Sequence, residues 1–190
     1  MRRALHRLRF LARWVLFYNA ELVWLCWRLP RRIPEGVALP PETDARRREA
    51  HLRLGEATAA CAKVCAGCGR CCLEEVDRFT PFDQIARRAT AAPAPSGDRR
   101  IYSVPWMIRN AGLHALQRLR PAAKRPVPPS CPHLTPEGCG LPRAERPMIC
   151  VSWFCLTSAL AMDPAAMAAA EAPLREIERI HREAARAARQ

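Results

Sequence analysis

Eight of the ten cysteines in this chain fall into two short groups, and these thiols are its clearest candidates for chemistry. The first group has the form Cys65-x2-Cys68-x2-Cys71-Cys72, and the second contains Cys131, Cys139, Cys150 and Cys155. Two-residue gaps allow successive thiolates to converge on one point, and intervening glycines relieve the tight backbone. The pattern predicts a metal–thiolate centre built from both groups.

The cysteine spacing favours an iron–sulfur cluster over zinc. Cys65, Cys68 and Cys71 have the spacing that wraps three thiolates around one corner of a cluster, and Cys131-Pro132 has the form of a remote cluster ligand. The second group is spaced by seven, ten and four residues, unlike the paired CxxC motifs of structural zinc sites. Zinc remains the alternative. Non-haem iron is a further one, with carboxylates such as Glu74 as hard ligands.

Cys72 has two possible roles, because adjacent residues project apart and Cys71 already belongs to the first site. Either it binds a second centre with Cys139, Cys150 or Cys155, or it is a free or reactive thiol. Arg146, close to Cys150, is predicted to donate hydrogen bonds to cluster sulfur. Cys61 lies outside both groups and is predicted to be a buried helix residue.

The ordered motifs of this segment resemble the YkgJ-type CxxCxxCC family. They are Cys65-x2-Cys68-x2-Cys71-Cys72, Thr80-Pro81-Phe82-Asp83, Cys131-Pro132-His133-Leu134, Gly138-Cys139, Arg146-Pro147 and Cys150. The resemblance implies a small zinc- or iron-chelating domain with no assigned general reaction. One branch, flagellin lysine methylase, looks like an iron–sulfur-associated methyl transferase. This chain is shorter than the proteins of that branch. The family often has an aromatic residue where Gly140-Leu141-Pro142 stands here.

Charge and cysteine usage bear on partners and compartment. The net charge of +13 and the isoelectric point near 10.1 suit an anionic partner. Of the 31 basic residues only Lys63 and Lys124 are lysine, a bias that a GC-rich genome also produces. Nucleic acid is not favoured, because the cysteine-rich part has no basic run interleaved with aromatic residues. The N-terminus is a poor signal peptide, so we expect a cytoplasmic chain with reduced thiols.

Residues 1–29 are predicted to form an amphipathic helix with arginines followed by aromatic residues. Only 14 residues separate Arg13 from Arg28, and Asn19 and Glu21 lie among them, whereas a spanning helix needs about 20 apolar residues. Two interpretations remain open. The helix lies at a membrane surface, which would make the protein peripheral on the inner membrane, or it docks on protein.

The rest of the chain is predicted to be mainly α-helical, a small helical domain with cysteine-rich metal-binding loops. Residues 30–44 are interpreted as a Pro-rich linker, 45–160 as the metal-binding domain and 161–190 as a charged C-terminal helix. A helix over 45–64 is expected to be capped by Thr43 or Asp44. Further helices are expected from Pro81, over 101–120 and from Pro164, the last with a kink or break at Pro173.

Three functions are compatible with these features. The first is a metal–thiolate module for electron transfer, metal or cluster handling, or complex assembly. The second is an iron-dependent or iron–sulfur-assisted transferase or oxidoreductase, which needs an open metal position. The third is a structural zinc module acting in assembly.

Overall fold

The computed structural model of the chain describes residues 2–28, 36–68, 81–88, 133–135 and 138–189. The N-terminal helix consists of α1 (Arg2–Phe10), a π-helical segment (Leu11–Phe17) and α2 (Tyr18–Arg28). It is followed by α3 (Pro41–Ala57), α4 (Ala59–Cys68), α5 (Pro81–Arg88), β1 (Leu134–Thr135), β2 (Gly138–Cys139), a 3-10 turn (Arg143–Glu145), α6 (Met148–Ser152), α7 (Leu156–Leu160) and α8 (Pro164–Ala187). The predicted mainly α fold is confirmed. The predicted helix over 101–120 lies outside the described residues.

Helix α8 forms the centre of the fold. It begins as predicted, with Asp163 Oδ1 accepting a hydrogen bond from the Ala166 N–H at 2.8 Å and with proline in its first turn. Leu174, Ile177 and other apolar side chains on its inner face are fully buried. Its charged residues are exposed or half-buried except Glu178, which is buried and forms ion pairs with Arg13 and Arg182. Pro173 lies inside an unbroken helix and is itself buried. Helices α1, α2, α3, α5 and α6 all pack against α8.

One face of the N-terminal helix packs into the same core. Phe10, Trp14, Tyr18 and Leu22 follow one another at intervals of four residues, and all are at least 97% buried. In a regular α-helix such residues drift around the axis by about 40° at each step, because 3.6 residues complete a turn. The wider turns of the π-helical segment counteract that drift and keep the four side chains in line. The helix therefore docks on the domain through this inner face.

Helix α3 begins and ends differently from the prediction. It starts at Pro41 after Pro40, so 41–44 are helical rather than linker. Neither predicted cap is a cap, because both lie inside the helix; Asp44 instead binds Arg47 and Arg48 at 2.8 and 2.9 Å. The predicted helix over 45–64 divides at Thr58, whose N–H and hydroxyl both donate to the Leu54 carbonyl.

A buried histidine joins the two hydrophobic clusters of the core. The His181 Nδ1 lies 2.9 Å from the Tyr18 hydroxyl, and its ring centre lies 4.8 Å from that of Phe82. Tyr18 belongs to the cluster beneath the N-terminal helix, whereas Phe82 belongs to the cluster around α5. Burial lowers the pKa of His181 to about 3, and burial also lowers the pKa of His51 well below 6.5. Both rings are therefore neutral in the folded protein.

No helix within the described ranges is long and apolar enough to cross a membrane.

The buried histidines make stability depend on pH. Below about pH 6.5 the unfolded chain takes up protons on residues 51 and 181 that the folded chain does not, so acid favours unfolding. We expect the free energy of unfolding to fall by about 1.4 kcal/mol per pH unit for each histidine below that value. Urea unfolding between pH 7.5 and 5 measures the slope. His181→Gln should reduce it, and an unchanged slope in this variant would contradict the assignment.

Candidate metal centre

Helix α4 carries the start of the first cysteine group. Cys65 and Cys68 lie on its second half, so this part of the predicted metal-binding loop is helical. Residues 61, 65 and 68 fall on one face of α4 by helical spacing. Helix α4 packs against β2, which ends at Cys139, and against α7, which begins after Cys155. The backbone thus brings parts of both cysteine groups to one helix.

A pair of short strands presents Cys139. Strands β1 and β2 are antiparallel, with Leu134 opposite Cys139, and the Gly140 N–H extends the pairing by donating to the His133 carbonyl at 2.8 Å. A Cβ atom on Gly140 would lie 3.1 Å from the Thr135 methyl group, which is tighter than ordinary contact. Glycine therefore allows the strands to close, and Cys139 is left partly exposed.

Arg146 holds the loop that follows Cys139. Its Nε donates to the Leu141 carbonyl and its Nη2 to the Cys139 carbonyl, both at 3.0 Å. These bonds fold the 139–146 segment back on itself and fix the backbone beside the Cys139 thiol. The predicted hydrogen bond from Arg146 to cluster sulfur stays a prediction.

Asp83 positions the short helix that carries Cys150. The helix predicted from Pro81 has this carboxylate in its first turn, and Asp83 lies in the first turn of α5. Its Oδ1 also accepts a hydrogen bond from the Met148 N–H at 2.7 Å, at the start of α6. The sequence could not reveal this second contact, because 65 residues separate the partners. Cys150 follows within the same turn of α6 and is partly exposed.

Ser158 lies between two cysteines of different character. The Cys155 Sγ is 3.4 Å from the Ser158 backbone nitrogen and 3.4 Å from its Oγ. The Cys61 thiol donates to the Ser158 carbonyl at 3.1 Å. Cys61 is buried as predicted, and burial raises the pKa of its thiol to about 11, so it remains protonated near neutral pH. Cys61 therefore serves as a structural hydrogen-bond donor, whereas Cys155 remains partly exposed.

Arg143 is a cation near α4, the helix that carries Cys61, Cys65 and Cys68. The sequence analysis did not identify this arginine. Its side chain crosses Gly55, where an added Cβ would lie 3.0 Å from the Arg143 Cγ. Its Nη2 donates to the Thr58 hydroxyl at 3.4 Å, at the junction of α3 and α4. The positive charge acts to lower the pKa of the Cys61 thiol, although burial outweighs it. No residue pattern predicts this contact, because Gly55 and Arg143 are remote from each other in the chain.

The N-terminal helix supports the segment around Cys155. The Asn19 side-chain amide donates to the Phe154 carbonyl at 3.0 Å, immediately before that cysteine. The Arg7 guanidinium donates to the Leu160 carbonyl at 2.6 Å, at the end of α7. Both bonds satisfy carbonyl oxygens that α7 cannot satisfy itself, so this helix fixes both ends of α7.

The described residues contain only part of the predicted ligand set. Cys71, Cys72 and Cys131 lie outside the described residues, as does Glu74. Among the described side chains, Cys139, Cys150 and Cys155 form no disulfide, and no group of three or more Cys, His, Asp or Glu is placed to hold a metal ion. The chemistry of the donors fits a soft metal, because thiolate sulfur is a soft ligand, and these three thiols are partly exposed.

Comparisons with protein-family models, with curated proteins and with solved structures found no match to this chain.

Thiol reactivity should separate Cys61 from the cysteines of the second group. In metal-free protein at pH 8 we expect iodoacetamide to modify Cys61 more than about tenfold more slowly than Cys139, Cys150 or Cys155, because Cys61 is buried and protonated. Peptide mass spectrometry at successive times measures each rate. Equal rates in the folded protein would contradict the structural role of Cys61, and modification in urea provides the unfolded control.

Removing the Asp83 carboxylate should loosen the start of α6. We expect Asp83→Ala to lower the free energy of unfolding by about 2 kcal/mol, because it leaves the buried Met148 N–H without its acceptor. Asp83→Asn retains an acceptor oxygen and should cost less than half as much. Urea unfolding of both variants measures the difference, and equal losses would show that the hydrogen bond is not the cause.

Proposed function

We propose that this chain is a metal–thiolate protein, with an iron–sulfur cluster as its cofactor in preference to zinc. The proposed ligands are drawn from Cys65, Cys68, Cys71, Cys72, Cys131, Cys139, Cys150 and Cys155. The protein would serve electron transfer, metal or cluster handling, or assembly of a larger complex. We further infer membership of the YkgJ-type family from the motif order, and a cytoplasmic location, peripheral on the inner membrane.

The packing of α4 against β2 and α7 is the observation that carries this proposal. These three elements bear Cys65 and Cys68, Cys139, and Cys155, which are far apart in the sequence. A centre built from both groups requires such an approach, because four thiolates around one metal must all lie within bonding distance of it. The approach involves backbone elements only and is independent of any side-chain conformation of Cys65 or Cys68.

The contrast between Cys61 and the other described thiols also supports the proposal. Cys61 is buried in the core, and its thiol donates a hydrogen bond to a carbonyl oxygen, so its polar group is satisfied without a metal. Cys139, Cys150 and Cys155 are partly exposed and sit where Arg146, Asp83 and Asn19 fix the adjoining backbone. Fixed backbones around accessible thiols are what a preorganised metal site requires.

Metal and sulfide analysis of anaerobically purified protein, with an optical spectrum, tests the proposal. We expect iron together with acid-labile sulfide, and Cys65→Ser should lose most of both. Cys61→Ser is the matched control from the same face of α4. It should retain the metal, because a serine hydroxyl can still donate to the Ser158 carbonyl.

The same measurement distinguishes the alternatives. Stoichiometric zinc without iron would replace the cluster by a structural zinc module. Iron without sulfide would favour an enzyme with an open iron position. Equal metal content in Cys65→Ser, Cys61→Ser and the unsubstituted protein would contradict a centre at the first cysteine group.

A further inference from the structure

The N-terminal helix has a second apolar face, which points away from the core. Leu5, Leu8, Leu16, Phe17 and Trp24 are all exposed, Leu8 by 65% and Phe17 by 68%. Single exposed apolar residues are common on protein surfaces, but several large ones along one side of a helix indicate an interaction site. We propose that this outer face, defined by these five residues, docks on an anionic phospholipid surface, an inference that rests on the peripheral membrane location proposed above and is independent of the proposed metal centre.

Helical geometry places the five residues on one side. The inner face is fixed by Phe10, Trp14, Tyr18 and Leu22, and the exposed residues fall opposite to it around the axis. The π-helical segment that aligns the inner row also keeps Leu16 and Phe17 on the side of Leu5 and Leu8, because it shifts both rows together. The helix thus presents two apolar rows that face in opposite directions.

The two rows serve different needs. The inner row, with Asn19 and Arg7 bonded to the segments around α7, already anchors the helix to the domain. The five residues of the outer row are not members of that core cluster and keep about half or more of their surface exposed. Covering large apolar side chains that are exposed to water is favourable, so the outer row is suited to a partner of its own.

Charge and shape favour a lipid surface as that partner. The first ten residues contain four arginines and no acidic residue, and the Arg9 side chain is exposed. From residue 5 to residue 24 the row extends along roughly 28 Å of helix at 1.5 Å per residue. A long, straight apolar row with arginine at its amino end and aromatic rings along it is typical of helices lying at the headgroup boundary. The chain's charge of +13 adds attraction to anionic lipid.

Vesicle flotation of the full-length, metal-loaded protein tests the proposal. The vesicles are phosphatidylcholine alone or an equimolar mixture with phosphatidylglycerol. We expect flotation with the anionic vesicles, weakened by high salt, and little flotation with phosphatidylcholine alone. Leu8→Ser combined with Phe17→Ser should reduce partitioning about tenfold or more, because both side chains lose their burial in lipid. Arg9→Gln should weaken binding about fivefold, and only to anionic vesicles.

Leu52→Ser is the matched control, because Leu52 is an exposed leucine on α3, outside the outer face. It should float like the unsubstituted protein. Deletion of the helix is unsuitable, since it would also remove the inner row from the core.

Three results would overturn the proposal. They are absence of flotation with anionic vesicles, equal flotation of the Leu8→Ser/Phe17→Ser variant, and a large fall in melting temperature of that variant when Leu52→Ser melts normally. The last result would mean that protein, rather than lipid, covers the outer face.

Discussion

Burial of the inner face of α8 is the constraint on which the rest of the described structure depends. Helices α1, α2, α3, α5 and α6 reach the core by packing on this one helix. Its Leu174, Ile177 and Ile180 are fully buried, and its His181 joins the two hydrophobic clusters through Tyr18 and Phe82. A helix so placed sets the distance between elements that are remote in the sequence, including α6, which carries Cys150.

The cysteine-bearing segments are held by contacts to this framework. Arg47 and Arg48 of α3 bond to the Ala144 carbonyl and to Glu145, and Asp83 of α5 caps α6. Asn19 and Arg7 of the N-terminal helix fix the two ends of α7. Each contact links a regular helix to a short segment that lacks enough backbone hydrogen bonds of its own. A preorganised site does not require the metal to order these segments, so binding energy can go to selectivity.

Local features of the fold could be predicted from the sequence, because they depend on neighbouring residues. Asp163-Pro164 starts α8, Pro81 starts α5, and Cys61 is buried in a helix. Pairings across long stretches of chain could not be predicted. The roles of Asp83 at α6 and of Arg143 against Gly55 depend on tertiary packing. The start of α3 was misplaced because a capping signal at Thr43 and Asp44 competed with a proline start at Pro41, and Asp44 was engaged by arginines instead.

The division of the N-terminal helix into two rows also explains why periodicity alone left its role open. Aromatic residues crowd one stretch, but their burial differs: Trp14 and Tyr18 are enclosed, while Phe17 is exposed. Which of these rings faces the core depends on the π-helical turns, and no residue pattern predicts such turns.

The position of α8 along the chain affects the order of events during synthesis. Every cysteine precedes it, so the thiols leave the ribosome before the helix that organises their surroundings. After Cys155, about 30 further residues must be added, which takes a few seconds at about 5–20 residues per second. During that interval the nascent chain exposes its thiols and an incomplete hydrophobic core at the same time. Protection of these thiols from oxidation is therefore most demanding before translation of α8 is complete.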